Sequence, residues 1–209
     1  MKRVRTLAGY VLFFMASAFQ CGSQQGDQAL SSSSELSSLA AEEGKRGVYV
    51  FYTESFFDKE NKKASYRGSV YGAIQKFELK GCDLQIEATI VDKFAGTVGD
   101  RPTGQLQDTF RYSATLVLTP EIGAGLTLIE ARPAELSHNT HAVCEENSSC
   151  TFPWLRIQAK QKVIREASTV NDTPSFTGQA DHFVVPISSA EMGKRLIEQL
   201  RTIAGSRCH

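Results

Sequence analysis

No run of like charge, no internal repeat and no second apolar stretch of about twenty residues occurs in this 209-residue chain. Its 23 Lys and Arg balance 23 Asp and Glu. Phosphate recognition needs clustered bases, so nucleic acid is not an expected partner. A glycine-rich phosphate loop, a Walker motif and a dinucleotide fingerprint are also missing. So is a Gly-x-Ser-x-Gly nucleophile elbow. The paired carboxylates, Asp58 with Glu60 and Glu145 with Glu146, lack a spacing that predicts glycosidase geometry. These absences leave a non-enzymatic protein without a cofactor as the expectation.

What is present begins with five cysteines. The chain opens with Lys2, Arg3 and Arg5, continues with the apolar Leu7–Met15, and reaches Ala16-Ser-Ala18 and then Cys21. Basic, apolar and small-residue segments in that order make an export signal, too short and wrongly flanked to remain as a membrane span. Ala18-Phe-Gln-Cys21-Gly22 resembles the lipobox of bacterial lipoproteins, with departures at Phe19 and Gln20. The resemblance implies a diacylglycerol on Cys21 and a membrane-anchored protein facing the periplasm or cell surface. Cleavage after Ala18 is the alternative, giving a soluble secreted protein with a free Cys21 thiol. With residues 1–21 removed, 20 basic residues face 23 acidic ones.

The expected organisation is a signal over 1–21, a flexible Ser-rich tether over 22–47 and one domain over 48–209. Its periodicity is mostly two. Cys82, Leu84, Ile86, Ala88 and Ile90 share one face, and Phe110, Tyr112, Ala114, Leu116 and Leu118 repeat the pattern. Weaker strands are expected at 48–53, 69–79, 126–130, 155–163 and 182–187, with loops at 97–104, 120–123 and 171–174. Ser188-Ser-Ala-Glu191 reads as a capping box with Ser188 as the cap. Met192, Leu196, Leu200 and Ile203 form the apolar stripe of a helix that Gly205 would end. The fold class is therefore α+β, mainly antiparallel β. It is a bent sheet or partly open roll of about seven strands with one C-terminal amphipathic helix packed on it. This order resembles a pleckstrin-homology-type roll, which implies a terminal helix plugging one open end of the sheet.

Four cysteines remain for the exported domain, and an even number suits disulfides. Cys144 and Cys150 bracket a short polar loop, while Cys82 opens a strand and Cys208 follows the helix, so Cys82–Cys208 and Cys144–Cys150 are the expected pairs. His138, His141, Glu145 and Glu146 lie around the short loop and make it the first expected partner surface, with no metal expected once the thiols are oxidised. Phe56 and Phe57, beside the charged run 58–63, are a second possible contact, while Tyr49 and Phe51 alternate as core residues would. Asp181 and His182 resemble two members of a triad near Ser188 or Ser189, but adjacent strand residues point to opposite faces. The expected protein is an exported, lipid-anchored binding or structural module whose partners are the membrane and another envelope protein or polymer. The alternative is an envelope enzyme or metal-binding protein using His138, His141 or His182.

Overall fold

The computed structural model describes residues 34–57, 63–132, 143–144 and 151–208. A helix at 34–43, here α1, is followed by β1 (Val48–Phe57), β2 (Lys63–Lys80), β3 (Asp83–Val98) and β4 (Arg101–Val117). The short α2 (Pro120–Ala124) and β5 (Leu126–Ala131) come next, then β6 (Val143–Cys144) and β7 (Phe152–Gln158). The described order ends with β8 (Ile164–Val170), β9 (Thr173–Ala180), β10 (His182–Pro186) and α3 (Ala190–Arg207). The strands form a seven-stranded sheet, β6-β1-β2-β3-β4-β8-β9, and a three-stranded sheet, β10-β7-β5. Every strand pairing among the described residues is antiparallel, and the larger sheet is open rather than closed into a barrel.

The architecture is mainly antiparallel sheet with a C-terminal helix. Leu84, Ile86, Ala88 and Ile90 are buried on one face of β3, as are Ala114 and Leu116 of β4. One core joins that face to Leu126, Leu155, Ile157 and Val185 of the smaller sheet and to Met192, Leu196, Leu200 and Ile203 of α3. Each buried aliphatic side chain contributes about 1.5–3 kcal/mol, so this shared interior is what holds the layers together. Cys82, in the turn between β2 and β3, is bonded to Cys208 just beyond α3, with the Cα atoms 5.7 Å apart. The second expected pair, Cys144–Cys150, lies outside the described side chains.

Several expectations are corrected by the described residues. Residues 34–43 belong to the folded unit rather than to a tether, because Leu36 and Leu39 enter the core. Glu43, only 1 % exposed, accepts the Ser188 N–H at 2.6 Å and its hydroxyl at 2.5 Å. Ser188 is thereby taken from the cap, and Ser189 caps α3 by accepting the Met192 N–H at 3.1 Å. The helix also runs through Gly205 to Arg207. Third, Tyr49 and Phe51 are 63 % and 55 % exposed, whereas Val50 and Tyr52 are 5 % and 3 % exposed. Register decides this: Val50 and Tyr52 lie opposite Val70 and Gly68 on the core face, and the Tyr52 ring occupies the space a side chain at Gly68 would need.

Fourth, the strands are longer and more numerous than the alternation suggests. The Gly- and Pro-containing 97–104 is a hairpin tip at Gly99–Asp100 followed by a bulge, with positive φ at Gly99 and Gly104. Residues 120–123, expected as loop, begin α2, capped by Thr119 with Pro120 in the first turn. Fifth, the strand expected over 155–163 stops at Gln158, and β8 and β9 form a further hairpin. Asn171 and Asp172, both at positive φ, make its two-residue turn, the backbone such hairpins require. The turn is tied to β4 by an Asn171 side chain that accepts the Thr109 N–H and donates to Asp108, each at 2.8 Å. The Arg111–Asp172 ion pair adds a further link.

A candidate ligand cleft between the sheets

Alternation along β8 puts Ile164, Glu166 and Ser168 opposite Ala180, Gly178 and Phe176 on one side and puts Glu166 and Ser168 opposite Ala114 and Tyr112 on the other. Ala114 is buried, so Glu166 sits on the inner face of the sheet. Its neighbour across β4, Ala114, is small, and across β9 the Phe176 ring lies over Gly178. A cleft of about 300 Å³ lies beside Glu166, within the size range of small-molecule sites. Ile90 and Tyr112 of the larger sheet line it, with Ile129 and Ala131 of β5 and Phe183 and Val184 of β10. Trp154 of β7 completes the apolar wall, held by a 2.9 Å bond from its Nε1–H to the Ala131 carbonyl and by stacking on Phe152 with ring centroids 4.8 Å apart.

Three ionisable side chains reach this apolar space: Glu166, Arg132 and His182. Neither Glu166 nor Arg132 makes a side-chain hydrogen bond or ion pair among the described residues. Burial pushes the Glu166 carboxyl above its ordinary range, partly opposed by the charge of His182. A half-buried carboxyl with no partner is costly unless something arrives to meet it, and such groups mark candidate sites. Glu166 is the informative residue here.

The His182 Nδ1–H donates to the Asp181 carboxylate across 2.8 Å. Asp181 precedes β10 in a bend, and its carbonyl accepts the Ala159 N–H at 2.7 Å and the Gln158 side-chain amide at 3.0 Å. The strand rule that would have separated the two side chains therefore does not apply to this pair. The hydrogen bond to His182 holds the Asp181 carboxyl below its ordinary range. No triad follows from the pair, because Ser188 is bonded to Glu43 and Ser189 caps α3.

Of the residues expected from sequence to carry function, the described structure places few. His138, His141, Glu145, Glu146, Cys150 and Cys21 lie outside the described residues. Phe56 and Phe57 are placed by backbone alone, opposite Ala64 and Lys63, and Cys144 opposite Tyr52. Of the three candidate histidines, only His182 is described, and it borders the cleft. Among the described residues no cluster of His, Cys, Asp and Glu suits a metal ion, and no helix is long and apolar enough to cross a membrane. Sequence reasoning missed Glu166, Arg132, Trp154 and Tyr112 as a group. The available signal was the acidic residue in the alternating Ile164-Arg-Glu-Ala-Ser168, legible only once β8 is known to be a strand with its even positions inward. No family model matches the chain, and no curated protein or solved structure does either.

Proposed function

We propose that this protein is an exported, lipid-anchored envelope protein that acts without catalysis, holding a small ligand in the cleft between its sheets. The observation that carries the binding reading is the apolar cleft with a carboxyl on its wall that has no hydrogen-bond or ion-pair partner among the described residues. The export-type N-terminus supports the envelope location, and the Cys82–Cys208 bridge suits an oxidising compartment. The anchor on Cys21 follows from the lipobox resemblance. The Asp181–His182 pair favours a second reading, an envelope hydrolase with His182 as general base, but it still needs a nucleophile or a bound water.

The test uses the chain's single tryptophan, Trp154, which lines the cleft. Titration with 1-N-phenylnaphthylamine, an uncharged apolar fluorophore, should quench Trp154 and sensitise the probe by energy transfer. Val184→Phe narrows the cleft from an exposed position, so it should abolish the signal while circular dichroism stays unchanged. A signal of equal strength in that folded variant would place binding elsewhere and end the cleft reading.

A further inference from the structure

The wall of the cleft reads as a recognition surface for one kind of head group. Tyr112 and Trp154 line the same space as Glu166. Aromatic faces carry negative potential and attract cations, most strongly where water is excluded. A carboxylate adds full charge at the same place. Resting on the reading of the cleft as a ligand site, we propose that it takes a small organic ammonium ion with an apolar body, its head beside Glu166 and its body against Ile90, Ile129, Ala131 and Val184.

Arg132 and His182 also border the cleft, and both are cationic or can become so. Each is exposed, so its field is screened by water and salt. Glu166 is partly withdrawn from solvent, where a unit charge acts through a lower effective dielectric. The inner group therefore sets the preference, and Arg132 and His182, whose charge already acts on the Glu166 carboxyl, weaken it without reversing it. The charge of a bound cation favours the carboxylate and so opposes the desolvation that pushes the Glu166 carboxyl upward, and the ligand and the proton compete for one group. The cleft size suits a body of roughly ten non-hydrogen atoms with room for solvent at the mouth.

The experiment compares 3-phenylpropylamine, 3-phenylpropanol and 3-phenylpropanoate, one body with cationic, neutral and anionic heads, by Trp154 fluorescence at about pH 8, where the amine is charged. The full exported protein and its Glu166→Gln form are titrated side by side. Among the described residues Glu166 makes no side-chain hydrogen bond that the substitution would break. The amine should bind about tenfold more tightly than the alcohol, and Glu166→Gln should erase that preference while leaving the alcohol unchanged. Equal affinity for amine and alcohol, or tightest binding of the carboxylate, overturns the ammonium assignment and leaves the cleft reading standing. Absence of binding by all three, with no phenylnaphthylamine signal either, overturns both. Unchanged selectivity in Glu166→Gln also overturns the proposal, because the head group would then be read by another residue.

Discussion

At the scale of single residues, Glu166 shows how a polar side chain inside a sheet changes stability with pH. Its folded-state pKa is raised by burial above the unfolded value, so the folded form holds the proton more tightly. The stability this gives is present below the ordinary glutamate range and is lost as pH rises through the raised value. Glu166→Gln removes that loss. The variant should therefore gain melting temperature relative to the parent as pH is raised from about 4 to about 8, measured by thermal denaturation across that range. A constant difference would mean that Glu166 is as well solvated in the fold as in the unfolded chain. Asp92 makes the contrasting case on the same inner face. It is buried, but its two oxygens accept the Tyr52 hydroxyl at 3.0 and 3.2 Å, so its burial is compensated.

Elements add the constraints that residues cannot supply alone. In β1 the aromatic positions looked like the core, yet Val50 and Tyr52 are inside and Tyr49 stacks across the strands on Tyr71 at 4.6 Å in a partly open setting. Val50→Ala should cost about 2 kcal/mol or more through the cavity it leaves. Tyr49→Ala should cost only about 0.2–1 kcal/mol, the worth of a cross-strand pair. Urea unfolding of both variants decides whether this register is right; a larger loss at Tyr49 would invert it. The bridge from Cys82 to Cys208 closes a separation of 126 residues and fixes α3 to the β2–β3 turn. In the chain-entropy model its loss costs on the order of 4 kcal/mol. Cys208→Ala should lower the urea midpoint far more than Cys150→Ala, whose expected loop with Cys144 is short. At the other end of α3, the Glu43–Ser188 bonds join α1 to the helix entry, so the three helices share one core with both sheets.

For the whole molecule, the proposed anchor sets where the cleft would work. Cys21→Ala, made in a bacterium beside the parent, should lose both the mass of an acylated N-terminal cysteine and membrane association on fractionation. A parent protein that is soluble and begins at Phe19 would instead make the chain a secreted one. The folded unit begins no later than residue 34, so any spacer from Cys21 is shorter than the sequence composition implied. The Ser-rich stretch had little to bury on average, but Leu36 and Leu39 are spaced for one helix face and a core was waiting for them.

By itself the sequence determined the fold class, the β3 and β4 core faces, the apolar stripe of α3 and the Cys82–Cys208 pair. The faces and the stripe rest on a period within one segment, whose meaning local backbone geometry alone supplies, and the pair rests on the even number of cysteines left for the domain. Tertiary structure decided the rest. Which face of β1 is inside depends on its register against β2, and the fate of Ser188 depends on a carboxylate 145 residues away. The cleft depends on Glu166 and Tyr112 sharing the inner face of the larger sheet, with Trp154, Ile129 and Val184 brought over from a second sheet. No window along the chain contains that juxtaposition, because side chains far apart in sequence meet only when both sheets have formed and packed.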